Sequence, residues 1–153
     1  MKIYVTEWVS AIQIPRADKM LADLHAFLTT SEQGVWEVDE SEAADPSALH
    51  YRRGPWERSF FGLGRRMYPA PFHRVTSSYP MRLSVTLRPS AADTTITTCH
   101  HLLLRGLRDE DRREQEERKC WDGVVAEMNA LAAYLHKAYN LPSRPRILEC
   151  HLL

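Results

Sequence analysis

The sequence has little of what usually staples a small protein or directs it to a surface. Its 153 residues include three cysteines, Cys99, Cys120 and Cys150, spaced 21 and 30 apart. An odd number without paired spacing is not a disulfide framework. Free thiols in a reducing compartment are the plain reading, and a cytoplasmic location is expected. No stretch approaches the ~20 apolar residues of a membrane span. The N-terminal MKIYVTEWVSAIQIP alternates instead of running apolar, and Glu7 interrupts it, so no signal peptide is expected. Cys150 stands fourth from the end with Leu153 last, yet His151 fits a prenylation box poorly and no polybasic run accompanies it. Net charge is also missing: 20 basic groups balance 20 acidic ones. That argues against a mainly electrostatic partner such as nucleic acid, whose binders usually have a domain pI above ~9.

What is present is a globular composition, with 44% hydrophobic residues, too many for disorder. The length fits one domain able to bury its own core. The zero charge hides a polarised chain. Residues 1–49 carry −6, residues 50–88 carry +7 and residues 89–153 carry −1. The middle segment holds Arg52, Arg53, Arg58, Arg65, Arg66, Arg74, Arg82 and Arg88 against one acid, Glu57. Aromatics interleave these arginines, which is compatible with stacking on a nucleic acid. Pairing with the acids of the N-terminal third and of the start of the long helix is the favoured reading. Steering of an anionic ligand group by Arg65 or Arg66 is a third.

Alternation and β-branched residues predict a strand over 2–12. Pro15 then suits a helix first turn, and Met20, Leu21, Leu24, Phe27 and Leu28 predict an amphipathic helix over 16–29. Strands are expected over 35–42 and 48–53, with a turn at 44–47. Residues 54–80 are irregular but hold six aromatics, so part strand and part packed loop is expected. RLSVTLR (82–88) and residues 94–104 read as a hairpin joined at 89–93. DEDRREQEERK (109–119) has ten charges in eleven positions, with i,i+4 pairs such as Arg113/Glu117. Trp121, Val124, Val125, Met128, Leu131, Ala132, Leu135 and Tyr139 then continue at helical spacing. One helix over 109–139 is predicted, stopped by Asn140-Leu141-Pro142. A tail over 141–153 is too apolar to float and is expected to dock on the body (residues 1–140) or on a partner, such as a second copy.

Three segments carry a resemblance: VSAIQIPRADKMLADL (9–24), MRLSVTLRPSAADTTITTCHHLL (81–103) and RDEDRREQEERKCWDGVVAEMNALAAYLHK (108–137). Their order resembles the StAR-related lipid-transfer and polyketide-cyclase superfamily, also called SRPBCC or helix-grip. Residues 54–80 and the tail depart from it. The resemblance implies an α+β fold in which a curved antiparallel sheet grips a long C-terminal helix, with a short helix after the first strand. It also implies a cavity between sheet and helix that binds lipids or polyketide-like molecules. Some members cyclise or dehydrate their ligands and others have no small ligand, so fold does not choose among these.

For this chain the expected function is binding or transport of a hydrophobic small molecule. The alternatives are a cyclase- or dehydratase-like enzyme and a protein-interaction domain with a filled core. Expected lining residues are Val85, Leu87, His100, Trp121, Val125 and Met128. His100 shares the parity of Ile96, Leu102 and Leu104, so it points inward if those do. It is the candidate general acid/base, although a hydrogen-bonded core histidine is the commoner case. Cys99-His100-His101 and Cys150-His151 invite a zinc reading. Adjacent strand residues point to opposite faces and rarely share an ion, so no metal and no other cofactor is expected.

Overall fold

The computed structural model describes residues 1–15, 18–31, 35–40, 47–58 and 66–150, and of Cys150 the backbone alone. Arg16, the turn at 44–46, Phe60, Phe61, Arg65 and residues 151–153 lie outside the described residues. The fold is α+β. A six-stranded antiparallel sheet carries a long C-terminal helix, and a short helix follows the first strand, as in a helix-grip arrangement. The strands are β1 (Ile3–Pro15), β2 (Glu37–Val38), β3 (Ala48–Arg53), β4 (Trp56–Arg58), β5 (Met67–Pro69), β6 (Met81–Pro89), β7 (Asp93–Arg105) and β8 (Ile147–Cys150). The helices are α1 (Met20–Thr30) and α2 (Glu110–Ala138). The large sheet runs β2-β3-β6-β7-β1-β8, and β4 pairs with β5 in a separate ribbon.

The alternation read in β1 and β7 sets the two faces. Tyr4, Trp8, Ile12 and Ile14 of β1 lie on the α2 side with Ile96, His100, Leu102 and Leu104 of β7. Met81, Leu83 and Val85 of β6 and Tyr51 of β3 extend the same buried layer. Fully burying each such aliphatic contributes about 1.5–3 kcal/mol. The opposite face has no helix against it among the described residues.

α2 begins where its sequence says it should. The Asp109 carboxylate accepts from the Arg112 amide at 2.9 Å, and Glu110 and Asp111 sit in the positive first turn. The charged stretch is solvated, with Arg113 near both Glu110 and Glu117. Further along, Cys120, Val124, Met128, Leu131, Ala132 and Leu135 turn toward the sheet. Asn140 takes a left-handed φ of 49° and ends the helix, while the Leu141 amide bonds back to the His136 carbonyl at 3.0 Å.

The structure shifts several boundaries. Pro15 belongs to β1, opposite Asp93, because β1 matches the whole length of β7. A strand end is where a missing amide is tolerated. α1 starts at Met20, later than the pattern suggested. Of the strand expected over 35–42, Glu37 and Val38 form the ladder among the described residues, and the Asp39 amide adds a bond to the His50 carbonyl at 2.9 Å. The tail joins the sheet: β8 pairs with the edge of β1, and Ile147 packs on the core. No helix among the described residues is long and apolar enough to cross a membrane.

Candidate functional site

The buried layer is mostly apolar, with the hydroxyls of Ser10, Thr94 and Thr98 among its aliphatics, and its charged groups gather at one place. There β3, β7, α2 and the segment before β2 each deliver one polar or amphipathic side chain: Arg53, His100, Glu127 and Trp36. Glu127 is 2% exposed on the apolar face of α2, since it lies three residues after Val124 and four before Leu131. Its Oε2 receives Arg53 Nη1 at 2.6 Å. Its Oε1 accepts from Trp36 Nε1 at 3.1 Å and lies 3.4 Å from His100 Nε2. The Arg53 guanidinium also stacks over the Trp36 ring, 4.1 Å from its centroid. Trp36 in turn packs beside the His100 imidazole.

This arrangement fixes the protonation states. Burial raises the Glu127 pKa, but the His100 bond and the Arg53 charge outweigh it, so the carboxyl stays below its usual range and ionised. Burial lowers the His100 pKa, and that wins over the attraction of Glu127, so the imidazole is neutral. A neutral imidazole facing a carboxylate donates from Nε2. Its Nδ1 is then a bare lone pair, and it is buried without a hydrogen-bond partner. A carboxylate-oriented imidazole with a free Nδ1 can accept a hydrogen bond or a proton.

The space next to that imidazole is small. A void of about 10 Å³ is walled by Leu24, Phe27 and Leu28 of α1, by Leu83, Val85, Thr98 and His100 of the sheet, and by Glu127, Met128 and Leu131 of α2. That is about one water.

Three of the residues expected to line a site, Val85, His100 and Met128, meet around this void. The other three do not reach it. Trp121 packs on Trp8, with ring centroids 5.4 Å apart. Val125 and Leu87 are partly buried against other parts of the core. Arg66 is exposed. Cys120, buried against Met81, has its thiol pushed up to about 12 by burial, so it is no nucleophile. Several arginines of the middle segment have carboxylate partners: Arg53 with Glu127, Arg82 with Asp39 and Arg74 with Glu57.

Glu127, Arg53 and Trp36 were not singled out by the sequence reading. A signal existed for Glu127, an acid set in the middle of an otherwise apolar stripe. Arg53 and Trp36 carried none, because nothing local tells which of many arginines a buried acid will take. No protein-family model matches the chain, and a search of curated proteins returns no relative.

Proposed function

We propose that this protein binds a hydrophobic small molecule carrying one hydrogen-bond donor, held between the sheet and α2 with His100 Nδ1 as the acceptor. The observation that carries this reading is the buried, unpartnered Nδ1 of an imidazole that is held by a charged network and borders the void. A buried ion pair is seldom more stable than packed apolar residues of the same volume. Recognition explains the network better than stability does. The resemblance to helix-grip proteins points the same way.

Small-molecule sites measure roughly 300–1,000 Å³, so a ligand enters here by displacing a wall. α1 is the wall suited to move. It has eleven residues, no side-chain N-cap, and a length below that of helices stable on their own. Its side-chain ties to the body include His25 to Tyr51, Asp23 to Tyr139 and the Phe27–Tyr134 ring contact.

Native mass spectrometry of the protein purified from its own host tests this. Wild type is expected to retain an apolar adduct, and Leu28→Trp, which adds bulk at the void, is expected to lose it. Bare wild-type protein overturns the proposal. A second reading, a protein-interaction domain with a filled core, is favoured by the water-sized void. It expects bare protein in both samples.

A further inference from the structure

The sheet face turned away from α2 gathers a second set of reactive groups. The argument against a shared ion holds for neighbours along a strand: His100 points to α2. It does not cover Cys99 and His101, which stand two apart and share the outer face. The β1–β7 register places Glu7 directly opposite His101. His101 Nε2 lies 3.0 Å from Glu7 Oε1 and 3.7 Å from Cys99 Sγ. All three donor atoms fall within 4.8 Å of one another.

We propose that Glu7, Cys99 and His101 form a binding site for a transition-metal dication, zinc above all. Zinc bonds of about 2.3 Å to sulfur and 2.0–2.2 Å to nitrogen and oxygen put tetrahedral ligand atoms roughly 3.3–3.6 Å apart. The observed separations bracket that spacing, so small rotamer adjustments bring the three donors onto one ion. One imidazole proton can serve one of the two neighbours, whereas an ion between them serves all three. Thiolate, imidazole and carboxylate together select a borderline ion over magnesium or calcium. Two anionic ligands also neutralise a dication. Three protein ligands leave a fourth corner open, the layout of sites that bind water or substrate. His101 further forms part of the wall of a concavity of about 250 Å³, shared with His50, Asp39 and Arg82.

The register brings the backbone of a second cysteine near this site. Cys150 pairs with Val9, which itself pairs with Cys99 across the other edge of β1. The test must separate the two thiols.

Chelator-treated, reduced full-length protein is titrated with Co²⁺ and followed by absorbance, and then Zn²⁺ is added to displace the cobalt. One equivalent is expected to produce a thiolate-to-cobalt charge-transfer band. Cys99→Ser is expected to abolish the band. His101→Ala and Glu7→Gln are expected to weaken binding by more than the ~10–100-fold that loss of an outer supporting partner costs. Cys150→Ser, which keeps all three ligands, is expected to retain the band. These side chains are on an open sheet face, and circular dichroism checks that each variant folds. The proposal is overturned by a wild type without the band, or by a band that survives Cys99→Ser.

Discussion

Arg53 and Glu127 tie the third strand to the middle of the long helix through a 2.6 Å ion pair, with Glu127 almost wholly out of water. Removing one partner leaves a buried charge unpaired, so Arg53→Met is expected to cost about 3–5 kcal/mol in urea denaturation. The double variant Arg53→Met/Glu127→Gln removes both charges while its amide oxygen can still accept from Trp36, and it is expected to recover part of that loss. A single variant no worse than the double one would show that the pair is not desolvated.

Acid is expected to weaken the fold in two stages. Burial keeps the native His100 pKa below the 6.5 of a free imidazole. As pH falls below about 6.5 the unfolded chain takes up that proton before the native chain does, so stability drops, by at most ~1.4 kcal/mol per pH unit. Above that pH the contribution is complete. Glu127, held below its ordinary 4.5, adds a second loss as pH falls past about 4.5. Urea midpoints measured from pH 7.5 to 5 should decline in wild type and decline less in His100→Phe. Equal slopes would remove His100 as the cause.

Gly54 is required by its backbone. It holds φ at +85°, and an added Cβ would stand 2.1 Å from the Tyr79 carbonyl oxygen. Gly54→Ala is expected to destabilise by well over ~1 kcal/mol, read from thermal or urea unfolding. A neutral result would mean that the turn before β4 rearranges freely.

The ties of α1 can be cut without touching the ion pair. The Tyr51 hydroxyl lies 2.9 Å from His25 Nδ1, and His25 is exposed enough to re-pair with water. Tyr51→Phe is therefore expected to cost no more than about 1 kcal/mol globally. It should speed amide exchange in α1 and leave that of β6 and β7 unchanged. Uniform acceleration across the sheet would show that α1 does not open on its own.

Much of the fold was legible because single elements carried complete signals. The period of α2, the charged run at its start and the Asn140 stop were all local. So was the alternation in β6 and β7, which put His100 on one face with Ile96 and Leu102. The site was legible only in part, because its chemistry is nonlocal. Glu127, Arg53 and Trp36 meet from different elements, and nothing in their own neighbourhoods marks the meeting. Glu7 meets Cys99 and His101 through a register that pairs positions 94 residues apart. β2 is shorter among the described residues for another reason: β-propensity does not make a ladder where no partner strand lies alongside, and Glu37 and Val38 are the described residues with ladder partners on β3.

The most direct test of ligand binding at the His100 network is isothermal titration with decanol, an apolar chain with a single hydroxyl donor. Saturable one-to-one binding is expected in wild type, weaker binding in His100→Phe, and unchanged binding in Cys99→Ser on the opposite face. Absence of saturable heat in wild type, or equal affinity in His100→Phe, would contradict a hydroxyl-accepting site between the sheet and the long helix.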